Sequence, residues 1–310
     1  MRSVLDVAAV GDICVDFLTP PLKGFSLGDR QLWIPTLPMA PGGNAANFAL
    51  GASALGLRTG LAACLGDDAT SAYLRRVLRA ANVTSFLKVR RGLEAGRTVA
   101  LAHADGTRQL ITANGSNLAL SPSDISAKVC ETRHLHRAGY WWTPKLLGKP
   151  TRDLLRRARD RGAETSLDVS TDPEGWPERR RAKVLAVLPE VSVFFGNEDE
   201  VRSVFDERDL RAAAKEAFAV GVAVLAVHQG PRGCLVAARG VWHREPAVRV
   251  VPRNPTGAGD VFNAGFVYGR LQGWNLEKCA KFANAAAAAR VAGVRMYPNR
   301  RTASLRSRSP

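Results

Sequence analysis

The run Asn254-Pro255-Thr256-Gly257-Ala258-Gly259-Asp260 sets a carboxylate beside a turn built for negative charge. The apolar run 248–251 before it reads as a strand. After it, Val261, Phe262, Phe266, Val267 and Leu271 recur at helical spacing. The segment is therefore a tight loop that opens a helix. Gly257 and Gly259 allow close backbone approach and φ values that a side chain forbids. Free N–H groups at a helix start, at the positive end of its dipole, make an anion site. A loop that only held phosphate would gain nothing from Asp260. A loop that stabilises charge while a neighbouring base removes a hydroxyl proton would use both. A plain glycine turn with Asp260 serving the helix start fits the same spacing.

Three further groups carry chemistry. Pro41-Gly42-Gly43-Asn44-Ala45-Ala46-Asn47 leads into an Ala-rich helix over about 45–55. Gly42 and Gly43 permit close approach of the backbone, while Asn44 and Asn47 both donate and accept, which suits a polyhydroxylated ligand. Asn at a helix start is also a common cap. Asp12 and Asp16 fall near the end of a strand expected over 4–17, four apart and on one face, where they could accept from paired hydroxyls. Asp12 fits a turn equally well. Asn197 and Glu200 follow a strand at 191–195 and open a helix, one turn apart on one face. A capped helix start explains that pair too.

The segment NPTGAGDVFNAGF resembles the C-terminal signature of the PfkB (ribokinase-like) family of carbohydrate kinases, and PGGNAANFA at 41–49 is similar to a second motif of that family. The likeness runs from about residue 7 to about 298. It implies an ATP-dependent, Mg²⁺-requiring kinase in which Asp260 is the general base and the amides of Gly257, Ala258 and Gly259 stabilise the transferring phosphoryl group. It puts Asp16, Gly42, Gly43 and Asn47 on the substrate, with Asn44 a specificity position and Asp12 a further candidate. It puts Asn197, Gly230, Gly233 and Asn284 on the nucleotide side. Glu200, in an Asn-x-x-Glu motif, would hold Mg²⁺ through its water shell, since that ion needs few protein carboxylates. Many relatives have Asp where this chain has Asn254, in a region that commonly helps bind a monovalent cation. The exchange weakens the expectation of K⁺ activation.

The substrate expected first is a small sugar or polyol phosphorylated on a hydroxymethyl group, because Asp16, Asn44 and Asn47 favour dense hydroxyls. A nucleoside is the alternative, with Trp141, Trp142 or Phe17 stacking on a base. A non-catalytic sugar-binding relative is another, although a regulator has no need of Asp260. These residues do not separate ATP from ADP as donor.

The chain has 310 residues, 46% of them hydrophobic, enough for one large α/β unit with a small appendage. No run reaches the length of an apolar membrane span, and the N-terminus has acids within its apolar stretch, unlike a signal peptide. The scattered Cys14, Cys64, Cys130, Cys234 and Cys279 form no CxxC pair and read as buried thiols in a reducing cytoplasm. The formal net charge is +16. Its arginines, as in 156–161 and 179–183, fall where helices face solvent and lack interleaved aromatics, so a field that draws an anionic nucleotide is expected rather than RNA binding.

The elements that must position these groups alternate. Strands are expected at 60–65, 133–140, 165–169 and 222–227, with helices ending near 81 and covering 150–162 and 279–291. Such alternation predicts a central, mostly parallel sheet with helices on both faces. Segments 17–40 and 96–113, the latter a hairpin of 97–104 and 108–112 turning at Asp105-Gly106, would build a small β-sheet lid. A homodimer through that lid is a candidate assembly. Residues 1–298 would form the kinase domain, and the basic, Ser-rich 299–310 a disordered tail. His134 and His136 alternate along a strand with no third metal ligand nearby and read as polar strand positions. Asp168 ends a strand and would line the site.

Overall fold

The computed structural model describes residues 5–22, 31–103, 108–253 and 255–293. Its strands are β1 (Leu5–Val10), β2 (Cys14–Leu18), β3 (Met39–Gly42), β4 (Thr59–Leu65), β5 (Thr84–Val89), β6 (Gly96–Ala102), β7 (Arg108–Ala113), β8 (Thr132–Arg137), β9 (Glu164–Asp168), β10 (Val193–Asn197), β11 (Val224–His228), β12 (Cys234–Ala238) and β13 (Val241–Glu245). The helices are α1 (Asn44–Ala54), α2 (Ala69–Ala80), α3 (Lys149–Arg159), α4 (Glu178–Leu185), α5 (Glu198–Phe205), α6 (Leu210–Ala219), α7 (Ala258–Leu271) and α8 (Leu276–Val291).

The main sheet runs β13-β12-β11-β10-β9-β8-β1-β4-β5. Pairing is parallel from β11 through to β5, and β12 and β13 add antiparallel at one edge. Both faces are covered, so inner strands are apolar on alternate sides. In β10, Phe194 enters one core and Val193 and Phe195 the other. Helices α3 to α6 pack on the first face, through residues such as Leu155, Val184, Val201 and Ala213. Helices α1, α2, α7 and α8 pack on the second, through Phe48, Leu74, Phe266 and Ala283. The expected doubly covered, mostly parallel architecture is present.

The second sheet has the order β3-β2-β6-β7, with a parallel β2–β6 pair flanked by antiparallel ones. It corresponds to the expected lid. The turn Asp105-Gly106, residues 23–30, Asn254 and the tail 299–310 lie outside the described residues.

Three expectations need correction. The strand over 4–17 is two strands in two sheets, because the chain leaves the main sheet at Gly11, whose backbone lies against Ala138. A Cβ there would sit 2.0 Å from the Ala138 carbonyl oxygen. Asp12 and Asp16 therefore do not share a strand face. Residues 248–251 form no strand, and Val251 is 82% exposed. Residues 31–38, in the expected lid, form no strand. In both cases β propensity without a neighbouring strand to complete the ladder gives no strand.

Among the described residues no helix is long and apolar enough to cross a membrane. All five cysteines are free and buried.

Candidate active site

The neighbours of β1 in the sheet are β8 on one side and β4 on the other, so the chain order reverses there. Open α/β sheets bind ligands beyond the carboxyl ends of strands at such a point. A cavity of about 150 Å³ lies here. Its lining includes Asp12, Asp16, Asn44, Asn47, Gly257 and Asp260 from the predicted constellations, with Thr98, Leu110 and Thr112 from the second sheet. Residues predicted from segments up to 248 positions apart therefore converge (Asp12 to Asp260).

Asp12 sits in the break after β1. Its Oδ1 accepts from the Ala45 N–H at 3.1 Å, and its carbonyl accepts from Ala46 at 3.3 Å. Helix α1 has no local side-chain cap, so Asp12 supplies one from 33 residues upstream. Gly43, at φ 92°, brings α1 close enough for this; a Cβ there would lie 2.8 Å from the Asp12 carbonyl oxygen. Burial pushes the Asp12 carboxyl up, opposed by the Ala45 and Asn44 amides and by the Arg137 charge.

Asp16 is on β2. Gly42 must be glycine beside it, because a Cβ would meet its carboxylate at 2.4 Å. The Cys14 thiol donates to Asp16 Oδ1 at 3.3 Å. Burial again raises the carboxyl, against the thiol's hydrogen bond.

Asp260 is 5% exposed, in the first turn of α7. Asn44 Nδ2 donates to its Oδ1 at 3.2 Å and Asn47 Nδ2 to its Oδ2 at 3.1 Å. The amides expected to face a ligand turn their N–H groups to this carboxylate, and both residues also line the cavity. Burial, and then the Asp168 charge, push the Asp260 carboxyl well above its usual range, with Asn47 and Asn44 pulling it back. Gly257, the N-cap of α7 at φ 76°, presses on Asn47; a Cβ would lie 2.8 Å from Asn47 Nδ2.

The remaining predicted residues gather elsewhere. Asn197 caps α5 and forms a capping box with Glu200: Glu200 N donates to Asn197 Oδ1 and Asn197 N to Glu200 Oε2, both at 2.8 Å. Thr171 donates to Glu200 Oε1 at 2.8 Å. Burial and the Asp168 charge raise the Glu200 carboxyl. Asn197 pairs in register with His228 at the end of β11, just before Gly230 and Gly233. Gly233 lies against the Glu245 carbonyl, to which Asn284 Nδ2 donates at 3.0 Å. Asn197, Gly230, Gly233, Asn284 and Glu200 do not line the 150 Å³ cavity.

Several residues passed unnoticed in the sequence. Asn117 clamps the β1–β2 break, accepting from Ile13 N at 3.0 Å and donating to its carbonyl at 2.9 Å. Thr98 and Thr112 share a hydrogen bond at 3.1 Å in the wall of the cavity. Asn263, one turn after Asp260, donates to Asp168 Oδ2 at 2.7 Å. Its place within VFNAGF was the available signal. Asp168, expected to line the site, lies one layer behind it, raised by burial to about 6. Trp142 lines the cavity; Trp141 is core, edge-on to Trp176. His134 and His136 share Ser166 in a buried hydrogen-bond chain that reaches Glu164. Among the described residues no group of His, Cys, Asp and Glu is arranged to hold a metal directly.

Comparison with known proteins decides the family. The profile of the pfkB family carbohydrate kinases matches residues 4–297. The chain belongs to that family. An uncharacterized sugar kinase of Archaeoglobus fulgidus is 29% identical, over 77% of this chain and 93% of that protein. Fructokinase-1 of Oryza sativa subsp. japonica is 27% identical over 91% and 90%. The adenosine kinase structure from Sinorhizobium meliloti superposes with a TM-score of 0.82 at 25% identity, covering 98% of this chain and all of that one. A ribokinase II candidate from E. coli, in complex with ATP and Mg²⁺, gives a TM-score of 0.81 at 20% identity over 93% and 92%. As a pfkB family kinase the protein is a phosphotransferase acting on an alcohol group, and a kinase of sugars or nucleosides.

Proposed function

We propose that the protein is an ATP-dependent kinase that phosphorylates a hydroxymethyl group of a small sugar or polyol, with Asp260 as general base. The observation that carries this reading is the Asp260 carboxylate at the Gly257 turn, lining a cavity that it shares with Asp12, Asp16, Asn44 and Asn47. The substrate hydroxyl oxygen attacks the γ-phosphorus in line, the bond from that phosphorus to the β–γ bridging oxygen breaks, and the hydroxyl proton passes to Asp260. ADP leaves. Each carboxylate oxygen has two lone-pair sites, so the Asn44 and Asn47 donors leave room for that proton. A carboxylate whose pKa is raised by burial is a better proton acceptor than an exposed aspartate. The amides of Gly257, Ala258 and Gly259 stabilise charge on the transferring group, for which the Ala258 N–H must be shared with or released from the Pro255 carbonyl that accepts it at 3.2 Å.

Asp16, Gly42, Gly43, Asn44 and Asn47 hold the acceptor, with Asp12 shaping α1 beneath it. Asn197, Gly230, Gly233 and Asn284 form the nucleotide side. The Asn197–Glu200 box suits Mg²⁺ held through water, because the Glu200 oxygens accept one hydrogen bond each and keep a further lone pair apiece. When bound, Mg²⁺ supplies charge neutralisation on the phosphates. The second sheet acts as a lid that excludes water.

The cavity favours a sugar or polyol. It is smaller than the ~300–1,000 Å³ of pockets for drug-sized ligands, and its lining carries the hydrogen-bonding side chains of Asp16, Asn44, Asn47, Thr98 and Thr112. A nucleoside is the second reading, favoured by Trp142 in the lining and by the likeness to an adenosine kinase. A panel of hexoses, pentoses, polyols and nucleosides with ATP and Mg²⁺, read by ADP release, tests both. Stimulation by nucleosides alone would replace the first reading with the second; release with no acceptor would end both.

A homodimer through the lid completes the proposal. Ile111, on the face of β7 opposite to the cavity-lining Leu110, is 63% exposed, and Trp33 is 85% exposed. Light scattering at micromolar concentration should give about twice the 33.3 kDa chain mass; a monomer would remove this part.

A further inference from the structure

Behind the Gly257 turn lies a hydrogen-bonded unit that the reaction scheme above leaves unused. Asn263 is fully buried on α7, one turn from Asp260. Its Nδ2 donates to Asp168 Oδ2 at 2.7 Å, and its Oδ1 lies 2.8 Å from His228 Nε2. Asp168 in turn accepts from Ser170 N at 3.0 Å through Oδ1.

These contacts fix the protons. An ionised carboxylate only accepts, so the Asn263 NH₂ must face Asp168. The Asn263 carbonyl then faces His228, and His228 Nε2 must carry hydrogen. Burial favours the neutral ring, against Asn263 and the Glu200 charge. The other edge of that ring, Cε1 and Nδ1, abuts Gly259; a Cβ on Gly259 would lie 3.3 Å from both atoms. Phe262 holds the ring edge-on at 4.9 Å.

One amide therefore joins three elements: the first turns of α7, the carboxyl end of β9 and the carboxyl end of β11. Asn263 ties α7 to both strand ends, and His228 fills the space behind Gly259. Phosphoryl transfer depends mainly on positioning, and a displacement of about 1 Å can cost about 10²-fold in rate. We propose that Asn263 and His228 are positioning residues for phosphoryl transfer, holding the Gly257–Ala258–Gly259 amides and the Asp260 carboxylate in one orientation. The inference rests on the roles proposed above for that loop and that carboxylate.

The test measures kcat and acceptor KM by ADP release, using the acceptor from the panel that turns over fastest, at a temperature where each variant is folded by thermal melt. Asn263→Ala should lower kcat about 10- to 100-fold, with acceptor KM within about threefold, because no acceptor contact is removed. The pair His228→Gln and His228→Phe gives a second, independent readout. Gln keeps an N–H near the Nε2 position; Phe keeps the bulk behind Gly259 and loses the donor. Gln should exceed Phe in kcat by about tenfold. That ratio is not expected from packing alone, which Phe preserves as well. Equal kcat for Gln and Phe, or an Asn263→Ala variant that keeps wild-type kcat or loses only KM, would overturn the inference. If Asn263→Ala does not fold, the His228 pair decides alone. Asp260→Asn, run alongside, separates the two levels: an active Asp260→Asn removes the base assignment itself, whereas an inactive one beside intact Asn263 and His228 variants removes only the positioning role.

Discussion

Replacing Asp260 by Asn should lower turnover by orders of magnitude and stabilise the fold. The carboxylate is 5% exposed, and its pKa is pushed up first by burial and then by the Asp168 charge. An acid whose folded pKa lies above its unfolded value costs stability while ionised, and the cost is relieved only as pH falls through the folded value. Asn removes that cost at pH 7.5. The change is not free, because Asn44 and Asn47 each aim an N–H at one carboxylate oxygen. One of them would face an NH₂ group, a loss of about 1 kcal/mol unless an amide turns over. The net direction remains stabilising, since an unpaired buried charge costs more than one neutral hydrogen bond. Loss of a general base should lower kcat about 10²–10⁴-fold, or about 3–5 kcal/mol on the barrier. Scanning calorimetry at pH 7.5 and ADP release on the same sample measure both. A kcat within threefold of wild type refutes the base. A Tm several degrees lower refutes the electrostatic argument and makes Asp260 a structural residue.

Other outcomes follow from the same geometry. Gly257→Ala places a methyl 2.8 Å from Asn47 Nδ2 at a φ of 76°, at about 1–2 kcal/mol of backbone strain. It should cut kcat at least about tenfold, and unchanged turnover would show that the Asn47–Asp260 contact is dispensable. Glu200→Gln should keep the capping box, since Gln serves at that position, and should raise Tm, because burial and the Asp168 charge hold the Glu200 carboxyl above its usual pKa. The Mg²⁺ concentration giving half-maximal rate should rise about 10- to 100-fold; an unchanged titration would remove Glu200 from the ion. His136 is fully buried, stacked on Phe48 at 4.0 Å, and burial holds its pKa well below 6.5. The folded state therefore resists a proton that the unfolded chain takes up, so stability falls as pH drops below about 6.5. Urea unfolding of wild type and His136→Phe should diverge in favour of Phe from pH 7.5 to 5.5, by up to about 1.4 kcal/mol per pH unit. Glu164, held near 2, acts at lower pH, and the raised acids are common to both proteins. A constant difference would contradict the buried neutral state.

The sequence by itself determined what is local. Glycines at 42, 43 and 257 mark helix starts where backbone must approach closely, and the spacing of Asn197 and Glu200 already specifies a capping box, because φ/ψ preference and one helical turn span a few residues. Alternating strands and helices likewise announced a parallel sheet covered on both faces. The tertiary structure decided the rest. Residues 248–251 carry strand propensity but form no strand, and the run from 4 to 17 breaks at Gly11 because the Ala138 backbone crowds it. Asp12 caps a helix 33 residues away, Asn44 and Asn47 meet a carboxylate more than 200 residues later, and Asn263 joins Asp168 to His228. Such pairings depend on which elements pack side by side, and no local spacing encodes the partner of a buried polar group. The chemistry of Asp260 could be guessed from its neighbours in the chain; the groups that orient and charge it come from elsewhere in the fold.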